Sequence, residues 1–437
     1  MHPIIESAKG AADQAELYWN REHSIDVRYE NYRLQQVTEN DVSETSLRVI
    51  KDGKIGTAYA VFPDQPGYLE NAVAGAQYGD PVQYSFAGPA EIPQLNNHDA
   101  KAAAMTSADL VDVCETLKEK IGKHLPDVAL GIGASSTDRH LIVQTSRGAD
   151  AVERTTSFGY YVGAPFQGAG IGIYRWRSGT AAQAVDESLV DEFVEWYSWG
   201  ERTSTPSTGR LPVLLTPQAT FLLMMPLLAG VTGDAVWKKT SPLTDRQGEQ
   251  ILSKALTIVD DPLQSGHVDA RAFDDEGVPC ARRVVVENGV LKDFLFDLRF
   301  GAAMGVPSSG HGFKRTMFGS GNETATNPWF CCPTIEPGEA SWRDLVGDMK
   351  EGLLITGGMG FHSGNFPQGQ FAVQAVGFHV VNGEIVGRLD KTMISGNIYQ
   401  DGMNVGAVSR ETAPAGGFLS LGDAPYVLLD SLQVAGK

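Results

Sequence analysis

A hydrolytic zinc centre needs about three protein ligands and an open position for water. A helix supplies them most readily as two histidines one turn apart with a glutamate base beside them. The nine histidines are His2, His23, His98, His124, His140, His267, His311, His362 and His379, and no two lie three to five residues apart. A metal site would therefore have to be assembled from distant positions, such as His267, His311, His362 or the acidic segment Asp260 to Pro279. The adjacent Cys331 and Cys332 suit a soft metal by type. Neighbours in a strand point to opposite faces, however, and a pair of buried thiols is the simpler reading.

The acidic segment DDPLQSGHVDARAFDDEGVP carries enough carboxylates for calcium, but its spacing departs from the EF-hand loop. Aspartates beside proline and glycine make turns and caps, and that role is expected here. The glycine-rich loops Gly305 to Asn322 and Gly357 to Gly369 have backbone N–H groups to offer an anion or a peptide. Neither matches a phosphate-binding loop, and no G-x-S-x-G marks a nucleophilic serine. His311, His362 and Asn365 within these loops are the positions assigned as contacts to a peptide or a partner. No residue is assigned a catalytic role.

The elements that must position these residues follow from pattern. Small and apolar residues from Ser7 to Trp19 predict a short amphipathic helix. IDVRYENYRLQQVTEN and SLRVIKDGKIGTAYAVF read as strands, with Asp52-Gly53 reversing the second. Thr106 or Ser107 caps a helix whose Leu110, Val113, Leu117 and Ile121 share a face and which Pro126 ends. A β region from Ala129 to Pro165 leads to a helix at Glu187 to Trp199, with Leu189, Val190, Phe193 and Tyr197 inward. Pro217 to Leu228 reads as a buried helix with Pro226 near its end. Two further Asn-Gly dipeptides, in VVVENGVLKDFLFDL and FAVQAVGFHVVNGEIVGRL, mark hairpins. The class is α+β, with an α/β amino-terminal half and a sheet-rich carboxy-terminal half. The linker-like GERTSTPSTGRLP places a domain boundary between 1–205, including a central subregion from about 100, and 206–437.

Composition excludes several roles. The net charge of −18 repels a phosphate backbone, so direct nucleic-acid binding is not expected. No apolar run approaches the roughly 20 residues that span a bilayer, and MHPIIESAKG has no secretory pattern. Four cysteines without C-x-x-C spacing suit reduced thiols and a cytoplasmic location.

From Ala8 to Lys437 the order of segments resembles the TldD/PmbA family, also called the modulator of DNA gyrase family. The resemblance rests on SLRVIKDGKIGTAYA, LTIVDDP with FDDEGVP, VVVENGVLKDFLFDL, IEPGEASWRDLVGDMKEGLLITGGMG, FAVQAVGFHVVNGEIVGRLDKTMISGN and LDSLQVAGK. In that family TldD-like chains carry an H-E-x-x-x-H helix and a later cysteine that bind zinc, whereas PmbA/TldE-like chains lack both. The corresponding segment here, after LPVLLTPQ, is ATFLLMMPLLAGVTGDAV, without His or Glu, and Cys332 is the last cysteine. Zinc affinity worth roughly 10–16 kcal/mol in structural sites cannot arise without its ligands.

The resemblance thus implies a PmbA/TldE-like subunit with no cofactor of its own. Zinc is expected in a TldD-like partner, with unfolded peptides as substrate for proteolysis, peptide maturation or antitoxin removal. A homodimeric peptide-binding scaffold and a self-sufficient hydrolase are the alternatives. A link to gyrase sits poorly with the charge and is expected to be indirect.

Overall fold

The chain opens with α1 (Pro3–Ala8) and enters β1 (Gln14–Glu30) six residues later. The helix expected over Ser7 to Trp19 is therefore not formed beyond Ala8. Ala8, Ala11, Ala12 and Ala15 fit the helical period, but Ala15 and Leu17 alternate as a strand requires, β1 lies between two partner strands, and that pairing overrides local pattern. β2 (Arg33–Lys51) and β3 (Lys54–Ala60) follow, then α2 (Tyr68–Ala76), α3 (Ala100–Ala103) and α4 (Ser107–Gly122). β4 (Gly131–Thr145), β5 (Asp150–Pro165) and β6 (Gly172–Gly179) complete a six-stranded sheet in the order β3-β2-β1-β4-β5-β6. Every pairing in it is antiparallel. A computed structural model describes residues 1–167, 171–317, 319–361, 364–415 and 421–436.

Strand alternation gives this sheet two working faces. On one, Ala15, Leu17, Leu47 and Val49 bury against Ile5 and Ala8 of α1 and Tyr68, Ala72 and Ala76 of α2. Further along the same face Val27 and Tyr29 meet Leu110, Cys114, Leu117 and Ile121 of α4. Thr106 caps that helix: its Oγ1 accepts from Asp109 N at 3.3 Å while Asp109 Oδ2 accepts from Thr106 N at 2.8 Å. On the opposite face Tyr18, Leu141 and Val143 meet Ala272 and Phe273 of the carboxy-terminal half. Glu16 and Arg48 point to that second face too, because their neighbours occupy the first.

After α5 (Glu187–Trp199) and β7 (Thr203–Ser204) the chain forms β8 (Gly209–Leu215) and a 3₁₀ turn at Pro217–Thr220. The turn leads into α6 (Phe221–Val231), and α7 (Gly233–Trp237) follows. Pro226 lies inside α6, not near its end, and the helix continues five residues past it. The large sheet closes on itself. β8 pairs with Glu351–Met359 and with Asp423–Ala435; Met393–Asn397 joins the latter to Gln370–Val381, which returns to Glu351–Met359. Its core surrounds α6. Between the helix and the closing strands lie β9 (Ile258–Asp260), β10 (Arg283–Glu287), β11 (Val290–Leu291) and α8 (Leu298–Met304).

The three dipeptide turns form as the sequence predicts. Asp52-Gly53, Asn288-Gly289 and Asn382-Gly383 all have positive φ at both residues, the requirement of a tight two-residue hairpin. The two halves share core: Leu214, Trp342, Leu354, Phe378 and Val380 pack with Phe193 and Trp196 of α5. Among the described residues no helix is long and apolar enough to cross a membrane.

Candidate functional site: an apolar helix and a cleft between the lobes

α6 lies in the segment ATFLLMMPLLAGVTGDAV, where the resemblance places the zinc helix of TldD-like chains. Phe221 through Leu228 are all buried, and the helix packs into the core formed with Ile355, Phe361 and Phe366. Leu and Met offer no imidazole lone pair and no carboxylate, so these residues do not fit a metal. Among the described residues there is no group of three or more His, Cys, Asp or Glu placed to hold one.

The residues assigned from sequence as contacts do not come together. His311 is 0% exposed, with Nε2 at 3.0 Å from Asp260 Oδ2 and Nδ1 at 2.8 Å from Ser309 O. It presents no free edge to a peptide or partner, because the imidazole is consumed in bracing the strand pair. Asp260 also accepts from the backbone N–H groups of Cys331 and Cys332, at 2.7 and 2.6 Å. Asn365 is exposed and opens the short 3₁₀ turn Phe366–Gln368, its carbonyl accepting from Gln370 N at 3.0 Å. His362 lies outside the described residues. Cys331 and Cys332 are buried and free, and their surroundings push both thiols upward, away from the reactive thiolate.

The acidic segment serves as turn chemistry, with one addition that pattern reading missed. Asp274 Oδ1 accepts from Glu276 N and Val278 N at 3.0 and 2.9 Å, and its Oδ2 from Gly312 N at 2.9 Å. Asp275 accepts from Lys314 N and from Arg271 Nη2 at 2.8 and 3.0 Å. These bonds turn Glu276 toward the amino-terminal sheet. There Arg48 Nε and Nη2 donate to Glu16 at 2.7 Å each, and Nη2 also reaches Glu276 Oε1 at 3.1 Å. Glu276 Oε2 accepts from Leu298 N at 2.8 Å, which fixes the start of α8.

This network floors a cleft of about 380 Å³ between the two halves. Arg48, Glu276, Asp297 and Lys314 contribute its ionisable inner wall, while Tyr59, Tyr84 and Trp237 contribute aromatic sides. Burial pushes the Asp297 carboxyl up to about 7, with the Glu276 charge adding to the effect. Burial, and next the Arg48 charge, bring the Lys314 ammonium down to about 8. The two shifts both run toward neutrality, one in an acid and one in a base, and such shifts concentrate at functional sites.

The comparisons fit this architecture. A model of the PmbA/TldA metallopeptidase C-terminal domain matches residues 208–436, and one of PmbA/TldA metallopeptidase domain 1 matches residues 15–65. The chain belongs to the PmbA/TldD family. A metalloprotease of Methanothermobacter thermautotrophicus is 24% identical over 99% of this chain and 98% of its own length. Among solved structures, TldE from Thermococcus kodakarensis superposes with a TM-score of 0.90 at 24% identity, covering 99% of both chains. A Thermotoga maritima protein, described as a suggested modulator of a DNA gyrase, gives 0.87 at 25% identity over 99% of this chain and 98% of its own. The family models match residues 15–65 and 208–436, the fold is matched over 99% of the chain, and α6, inside the second match, holds no His, Cys, Asp or Glu.

Proposed function

We propose that this chain is the PmbA/TldE-like, non-catalytic subunit of a zinc metallopeptidase whose metal is held by a TldD-like partner. The observation that carries the reading is α6: a family helix position occupied by buried Leu, Met and Phe, with no group able to bind zinc or activate water. Four free, buried thiols suit a reducing compartment, and we place the complex in the cytoplasm.

The substrate of the complex is an unfolded peptide, for which an open strand edge is a suitable support. β3 covers β2 only from Thr45 to Lys51, so the β2 edge from Arg33 to Glu44 is left beyond its reach. An extended segment, from substrate or partner, can add to such an edge through main-chain hydrogen bonds. Co-expression with the TldD-like chain of the same organism should give a stable complex in size exclusion, with peptidase activity that the isolated chain lacks. A chain that ignores that partner and forms a peptide-binding homodimer would fit the scaffold alternative instead.

A further inference from the structure

We propose that the cleft between the lobes binds a small zwitterion, an α-amino acid or short peptide with free ends. Its ammonium meets Asp297 and its carboxylate meets Lys314. This inference stands apart from the subunit assignment, because it uses only groups in the cleft wall.

Two buried groups of opposite charge line one cavity, and among the described residues neither makes an ion pair. Asp297 is 1% exposed; its Oδ1 caps α8 by accepting from Phe300 N at 2.7 Å, but its Oδ2 has no hydrogen-bond partner. Lys314 is 5% exposed; its Nζ donates to Asn322 O at 3.3 Å and lies 5.2 Å from the centre of the Tyr18 ring, and among the described residues it has no carboxylate partner. Unmet hydrogen-bonding capacity in buried charged groups is costly unless a ligand completes it. An anion alone leaves Asp297 unmet, and a cation alone leaves Lys314 unmet. A ligand with an ammonium at one end and a carboxylate at the other satisfies both.

The remaining cleft features agree with that chemistry. Asp297, Lys314 and Glu276 all line the same cleft. Glu276 itself is occupied by Arg48 and by Leu298 N, so neither of its oxygens competes for the ligand. Thr326 adds a second buried oxygen without a partner. Arg299, an exposed residue of the cleft wall with its guanidinium over the Phe300 ring, makes no ion pair among the described residues and is available to a carboxylate. The volume, about 380 Å³, falls in the range of small-ligand sites.

The test is calorimetric titration of the full chain with L-alanine, L-alanyl-L-alanine, N-acetyl-alanyl-alanine and alanyl-alanine amide at pH 7.5. One of the first two should bind, and blocking either end should weaken binding by about tenfold or more, the loss expected for a charge-assisted hydrogen bond. Whichever of the free amino acid and the dipeptide binds more tightly identifies the natural source. Asp297→Asn keeps an oxygen for the Phe300 N cap, and Lys314→Met keeps most of the aliphatic stem without the charge; each should weaken binding by a similar factor. The proposal fails if neither zwitterion binds at millimolar concentration, if blocked ligands bind as well as free ones, or if both variants bind like the parent chain. Should a variant not fold, the blocked ligands on the parent chain decide the matter.

Discussion

Arg48 Nη2 donates at once to Glu16 Oε2 at 2.7 Å and to Glu276 Oε1 at 3.1 Å, so a single guanidinium ties the amino-terminal sheet to a loop 228 positions away. All three side chains are buried. Arg48→Met removes the cation and leaves two carboxylates facing each other out of water. It should cost about 3–5 kcal/mol, the penalty for breaking a buried ion pair from one side. Urea unfolding measures it, and a loss under about 1 kcal/mol would mean the tie is not what joins the lobes.

The cleft also fixes a pH dependence whose sign follows from Asp297 and Lys314. The Asp297 carboxyl is raised to about 7 from an unfolded value near 4, so the native state holds a proton that the unfolded state has released between those values. Its contribution to stability therefore falls as pH rises from about 4 to 7. Lys314 is lowered to about 8 from an unfolded value near 10.4, so the native state holds fewer protons there, and its contribution rises with pH between those values. Relative to the parent chain, Asp297→Asn should gain on the order of 2–4 kcal/mol on going from pH 4 to pH 8. Parallel denaturant melts across that range test this, and a constant difference would contradict it.

Two turn glycines share a backbone conformation but differ in surroundings. A Cβ at Gly53 (φ 71°) would meet nothing within 4 Å, whereas one at Gly383 (φ 79°) would come within 2.6 Å of Gly347 O. Gly53→Ala should cost about 1 kcal/mol, the left-handed backbone penalty alone. Gly383→Ala should cost distinctly more, because backbone must move as well. Thermal melts of the pair separate conformational strain from collision.

Leu227, 0% exposed in the middle of α6, tests whether that helix is core. Leu227→Ala should cost about 2–5 kcal/mol through lost contact and a residual cavity. A change near zero would place the helix against open space, as a catalytic groove would require.

Much of the scaffold was legible because it rests on local chemistry. Thr106 with Asp109 and the three Asx-Gly turns each specify their own backbone, and the apolar spacing of Glu187–Trp199 could be satisfied only by a helix. The stretch from Ser7 to Trp19 was not legible, since Ala8, Ala11, Ala12 and Ala15 suit a helix while Ala15 and Leu17 suit a strand, and the decision was made by strands arriving from elsewhere. The turn role read for the acidic segment holds at Asp274 and Asp275, but the partner of Glu276 across the sheet was not legible. Glu16 and Arg48 were the missed signal: charged residues inside otherwise apolar strands, between Ala15 and Leu17 and between Leu47 and Val49. Such charges need buried partners, but a partner 228 positions away is visible only after folding. His311 misled for the converse reason, as its loop in the sequence is covered in the fold.

Zinc content, measured by elemental analysis after dialysis against metal-free buffer, separates a non-catalytic subunit from a hidden metalloenzyme. The isolated chain should hold close to none, while its complex with a TldD-like chain should hold about one ion per heterodimer. About one tightly held ion in the isolated chain would show that residues other than α6 bind the metal, and the assignment as a non-catalytic subunit would be wrong.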